Sequence, residues 1–197
     1  MLYSFLSSLT ENYSYLNVFK YITFRTGLSV VTSFIIVFLI GEPLIKIFKK
    51  NQISGPIRQD GPIDHIIKKS GTPTMGGLII ILGIFLGTFL WADLSNIYIL
   101  TVIFISISLG FLGFIDDLLK IKQKNSRGLN SKMKILGQII ISLIAIYILL
   151  EHSEHQFLNK LYFPFFKNLI FPMGIFFIPF AIFVIVGASN AVNLTDG

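Results

Sequence analysis

The 197-residue chain contains no cysteine, which excludes a disulfide framework and any thiol-ligated metal site. Charge is also scarce, at 13% of residues against 53% hydrophobic, and mean hydropathy is +0.76. A soluble domain of this length is not normally so apolar. Histidine is confined to His65, His152 and His155, with no metal-ligand pairing on a shared face, and these take no role. No internal repeat or low-complexity segment is present. The start does not read as a cleavable signal peptide, since Glu11 interrupts it and no small-residue cleavage site follows a short apolar core. The net charge of +6 is concentrated in two loops, so it reports on topology and implies no nucleic-acid partner.

What is abundant is apolar sequence in blocks, the pattern of membrane spans rather than of an amphipathic soluble core. Residues 1–20 carry Tyr3, Phe5, Tyr13, Tyr15 and Phe19 and read as an interfacial segment. Five spans follow: Tyr21–Ile40, Met75–Trp91, Ile97–Ile115, Met133–Leu150 and Leu169–Val192. The second is short for a bilayer. Pro172 and Pro179 give the fifth a late start or a kink. The stretch Glu42–Thr74 is polar and rich in Gly, Pro and Lys, hence a loop. Glu151–Lys167 is a polar and aromatic connection with room for a short hairpin. The expected fold is all-α: one integral membrane domain over residues 1–197, built as a polytopic helix bundle.

Twelve of the 16 Lys and Arg residues fall in the loops 42–74 and 118–134. The positive-inside rule puts both loops in the cytoplasm and the N-terminus outside. Parity then brings three unusual polar stretches to the cytoplasmic face. Gly71-Thr72-Pro73-Thr74-Met75-Gly76-Gly77 opens the second span, Asp116-Asp117 closes the third, and Asn190 to Gly197 closes the fifth.

Each stretch has a chemistry and a plainer reading. Gly71–Gly77 lacks the Gly-Lys-Ser/Thr ending of a nucleotide P-loop. Its glycines admit close backbone approach, a helix N-terminus favours anions, and Lys68 and Lys69 precede it. The plainer reading is an ordinary helix start capped by Thr72 or Thr74. Asp116 and Asp117, placed at a helix C-terminus, need a lysine or a bound cation to offset the negative helix end. Adjacent residues point about 100° apart on a helix, so the two carboxylates divide their tasks. Hard oxygen ligands beside a phosphate fit magnesium; the plainer reading is a charged stop at the membrane surface. Asn193 and Asp196 share a helix face. Asn190, inside a span, needs an amide partner and is assigned an interhelical hydrogen bond.

Taken together, GTPTMGG, GFIDDLLK and NAVNLTDG, in this order and at these helix ends, resemble the phospho-N-acetylmuramoyl-pentapeptide-transferase family of bacterial membrane enzymes. The flanks FKYITFRTG, GPIRQDGP, FPFFK and FVIVGASNAVNLTDG extend the resemblance over nearly the whole chain. It implies a fold of about ten helices in the bacterial inner membrane, with the active site on the cytoplasmic face. It implies transfer of phospho-muramoyl-pentapeptide from its UDP carrier to undecaprenyl phosphate with release of UMP, dependence on Mg2+, and a homodimer. Asp116 and Asp117 match the family's paired catalytic and metal-binding aspartates. Lys69, Asn193, Asp196 and Gly197 match the uridine- and phosphate-pocket residues. The resemblance also implies that the family chain continues past the glycine at Gly197, into a half bearing a third catalytic aspartate and a histidine-rich motif. These 197 residues are therefore read as a truncated domain with an incomplete site. One residue is inserted between His65 and the Lys68-Lys69 pair relative to the usual loop. Two rivals remain. A related GlcNAc-1-phosphate transferase shares the aspartates but usually lacks GTPTMGG, and a non-catalytic membrane bundle would need neither magnesium nor nucleotide.

Overall fold

The computed structural model describes residues 2–51, 74–123, 128–152, 159–163, 165–166 and 168–195, with backbone alone for 192–195. A short helix α1 (Leu2–Ser8) and two 3-10 segments (Leu9–Glu11 and Ser14–Lys20) lead into α2 (Ile22–Lys50). Helices α3 (Gly77–Trp91), α4 (Ile97–Gln123) and α5 (Ser131–His152) follow. A two-stranded antiparallel hairpin, β1 (Lys160–Tyr162) and β2 (Ile170–Pro172), precedes α6 (Phe177–Thr195). The all-α membrane bundle is thus confirmed. Among the described residues four helices are long and apolar enough to cross a membrane, while α3, at 15 residues, is shorter.

Three boundaries differ from the sequence reading. Helix α2 does not end before Glu42 but runs to Lys50 with Pro43 inside it. An exposed Glu42–Lys46 ion pair of 2.7 Å lies on this extension. Helix α4 likewise continues through Asp116-Asp117 to Gln123. The carboxylate pair therefore sits inside a helix and not at its C-terminus, and repulsion from free terminal carbonyls does not act on it. In both cases hydropathy marks where the chain leaves the apolar layer, whereas the hydrogen-bonded helix carries on into polar surroundings. The fifth span starts late, as its prolines imply. Ile170–Pro172 is strand, a 3-10 turn spans Gly174–Phe176, and α6 begins at Phe177.

Packing follows small residues. Helix α3 lies antiparallel against α2 along Gly83 and Gly87, where a Cβ would strike Val37, Ser33 and the Ser29 carbonyl. Such small-xxx-small spacing lets backbones approach closely where no hydrophobic effect drives association. Gly110 of α4 receives Ile81 of α3, and Gly137 of α5 receives Leu112 of α4. Helices α5 and α6 are tied by polar side chains. Asn190 Nδ2 donates to Gln138 Oε1 at 2.8 Å, and Gln138 Nε2 donates to Ser189 Oγ at 3.2 Å. Gln138 is 1% exposed, so this is the interhelical amide pair expected of Asn190.

Candidate active site

The site is assembled where α3 begins, α4 passes its last apolar turn, and α5 begins. Asp116 is 7% exposed and fully engaged. Its Oδ1 accepts the Leu129 backbone N–H at 2.8 Å. Its Oδ2 lies 2.7 Å from Lys120 Nζ and 3.9 Å from Lys134 Nζ. Two lysines and a backbone donor thus offset a carboxylate that would be costly to bury alone.

Gly128 makes this latch possible. It sits at φ +55°, and a Cβ there would meet Asp116 Oδ1 and the Lys120 side chain. Only glycine takes that conformation freely and leaves the carboxylate room. Asn130 then caps α5, its Oδ1 accepting the Lys132 N–H at 3.2 Å, which directs the first turn of α5, and with it Lys134, toward Asp116.

Asp117 has a different environment. Its Oδ1 lies 3.2 Å from Lys120 Nζ, and its Oδ2 accepts the Thr74 hydroxyl at 3.0 Å. Its side chain is 30% exposed against 10% for Asp116. The two environments differ, yet both carboxylates reach the same Lys120 ammonium. Thr74 is not the helix cap: α3 starts at Gly77 behind Gly76 with no side-chain cap, and the hydroxyl is spent on Asp117. Met75, at φ 71°, turns the chain between that contact and the helix.

Both aspartates, Lys120 and Lys134 lie at one end of a cavity of about 470 Å³. The rest of its wall is apolar and comes from α3 and α4, including Leu78, Ile81, Ile107, Phe111 and Phe114. A charged mouth thus opens onto an apolar channel that follows the helices toward the middle of the bundle.

Of the expected site residues, the structure brings Asp116 and Asp117 together with Thr74 of the glycine-rich stretch. Helix α6 ends on the same side of the bundle, since Asn190 pairs with Gln138 one turn along α5 from Lys134. Asn193 lies in the last turn of α6, beyond Asn190, and its side chain is outside the described residues, as are Lys68, Lys69, Asp196 and Gly197. Sequence reasoning asked for a lysine beside the aspartates without placing Lys120 in the site, and it missed Lys134 and Gly128. Lys120 was discoverable from its i+4 spacing to Asp116 on a continuing helix; Lys134 belongs to another helix and carried no local signal. For magnesium the donor chemistry fits: Asp117 offers hard carboxylate oxygens at the cavity mouth. Among the described residues no group of three or more acidic or histidine side chains is gathered.

Residues 98–197 match glycosyl transferase family 4. Residues 69–81 match phospho-N-acetylmuramoyl-pentapeptide-transferase signature 1, a segment that opens on Lys69. Over all 197 residues the chain is 58% identical to a phospho-N-acetylmuramoyl-pentapeptide-transferase of Pelagibacter ubique, covering 55% of that relative. A protein of the same name from Thermodesulfovibrio yellowstonii is 47% identical, again over 100% of this chain and 54% of the relative. The chain therefore spans about half the length of the curated relatives it matches.

Proposed function

From the premise that the chain belongs to glycosyl transferase family 4, we propose that it forms the N-terminal half of a phospho-N-acetylmuramoyl-pentapeptide-transferase. The reaction is transfer of phospho-muramoyl-pentapeptide from its UDP carrier to undecaprenyl phosphate. A lipid phosphate oxygen bonds to the sugar-linked phosphorus, and the bond from that phosphorus to UMP breaks. The observation that carries this reading is the union of a carboxylate–lysine cluster with an apolar cavity of about 470 Å³. A polar reaction on a prenyl-anchored phosphate needs such a junction. The relatives' name and the GTPTMGG stretch favour this substrate over GlcNAc-1-phosphate.

The residues divide the work. Lys120 and Lys134 supply positive charge to the phosphates, as point charges rather than bidentate clamps. Asp116, saturated by Leu129 N–H and Lys120, holds these groups in place. Asp117, more exposed at the cavity mouth, is the better placed to hold Mg2+. When bound, the ion neutralises charge on the phosphoryl oxygens. Lys69, Asn193, Asp196 and Gly197 serve the uridine and phosphate end. The full-length enzyme acts as a homodimer in the bacterial inner membrane with this site facing the cytoplasm. The basic bias of its loops supports that orientation.

The test uses the full-length enzyme. Asp116→Asn and Asp117→Asn should each nearly abolish transfer while the protein remains inserted, and Asp117→Asn should shift the magnesium titration more than Asp116→Asn. Near-normal turnover in either variant removes that residue from the site.

A further inference from the structure

A second cavity, of about 430 Å³, lies between α2, α3 and α4 at the opposite end of the bundle from the aspartates. Tyr98, on its wall, precedes Asp116 by about 27 Å of helix at 1.5 Å per residue, close to the thickness of a bilayer's hydrocarbon layer. The cavity mouth is therefore at the other membrane interface. Ile81, Ile84, Ile103 and Ile107 line its inner part. Ile22, Val30, Ile84 and Val102 are all more than half exposed, so the cavity opens sideways, along the flank of the helices.

Arg25 stands at this mouth. Its guanidinium lies 3.8 Å from the centroid of the Tyr3 ring, and its Nη1 makes one long contact, 3.5 Å, with the Trp91 carbonyl. Its Nε is buried with no hydrogen-bond partner, and among the described residues no carboxylate pairs with Arg25. The other half-buried cations here, Lys120 and Lys134, both face Asp116. A guanidinium at the edge of an apolar slot, with no carboxylate among the described residues to neutralise it, suits an anion that carries a hydrocarbon chain. Trp91 closes the slot and is itself fixed, its indole N–H donating to Thr32 Oγ1 at 2.9 Å and its ring stacked on Phe19.

We propose that this cavity is a binding seat for an anionic phospholipid, its phosphate on Arg25 and one acyl chain between α3 and α4. The seat adjoins the carboxylate cavity at Ile81 and Ile107, but its arginine lies at the far end of the bundle, and the proposal does not depend on the reaction assigned to the aspartates. The test is lipid retention by the full-length protein in detergent, read by native mass spectrometry. Phosphatidylglycerol and phosphatidylcholine of identical chains are the probes, with and without inorganic phosphate. Phosphatidylglycerol should be retained preferentially. Arg25→Gln should weaken that retention about ten- to a hundred-fold, the range for a charged hydrogen bond. Arg25→Lys should fall between, and Ser106→Phe, which fills the apolar slot, should reduce retention of both lipids. The last two variants keep the test valid if Arg25→Gln does not fold. Equal retention of the two lipids, or an unchanged Arg25→Gln, overturns the proposal and leaves the seat to the remainder of the longer chain or to a second copy. Displacement of phosphatidylglycerol by inorganic phosphate, with no effect of Ser106→Phe, also overturns it, in favour of a free-anion site.

Discussion

Gly128→Ala is a small change with a large expected consequence. At φ +55° a new Cβ would lie 2.5 Å from Asp116 Oδ1 and 2.8 Å from Lys120 Cε, well inside contact distance. An L-residue in the left-handed region costs about 1–2 kcal/mol. Relieving the collision moves the loop away and removes the Leu129 N–H bond to Asp116, a charge-assisted bond whose loss costs about 1.5–3 kcal/mol. The loop relaxes in part, so the lower sum, about 2.5 kcal/mol, is the better guide. That shifts the balance of latched to unlatched loop by about sixty-fold, at 1.4 kcal/mol per factor of ten. The assay is kcat/KM for transfer by the full-length enzyme, together with its thermal unfolding midpoint. Gly27→Ala is the control, because a Cβ there meets nothing within 4 Å and it lies within helix α2. It should leave both quantities unchanged or slightly raise the midpoint. If Gly128→Ala keeps activity within about two-fold of the parent and an unchanged midpoint, the latch does not organise Asp116 and the reasoning fails.

Three further outcomes are expected. Lys69→Ala and Asp196→Ala should each weaken UDP-substrate binding about ten- to a hundred-fold, with Lys68→Ala milder; calorimetric titration that ranks Lys68 above Lys69 would move the assignment by one position. In this cysteine-free chain, a cysteine at Ser126 should react with an impermeant reagent only from the cytoplasmic side and one at Ser153 only from outside, and the reverse pattern would invert the topology. Gln138→Leu breaks the amide pair joining α5 and α6; at about 0.6 kcal/mol per hydrogen bond in a membrane bundle, the unfolding midpoint should drop modestly without loss of insertion, and an unchanged midpoint would mean the pair holds nothing.

The number and order of the apolar helices were legible in the sequence because spans are local. A run of residues such as Ile97–Ile115 declares its preference for hydrocarbon without reference to any other part of the chain. The basic loops and the paired aspartates are likewise local, and they mark the end of the bundle where Asp116, Asp117 and Thr74 meet. Helix ends were less legible. Glu42 and Asp116 mark where the chain meets polar surroundings, but backbone hydrogen bonding does not stop there, and both helices continue. Only the tertiary structure decided how the two carboxylates differ. Asp116 and Asp117 are chemically identical neighbours, yet one is closed off by Leu129 N–H from a distant turn and flanked by Lys134 from another helix, while the other is left at the cavity mouth with Thr74. Partners separated by 13 to 43 positions leave no periodic trace in a single sequence. Their roles are set by which helices pack together, and that packing rests on shape at positions such as Gly83, Gly87 and Gly137, where the absence of a side chain matters only once the facing helix is in place.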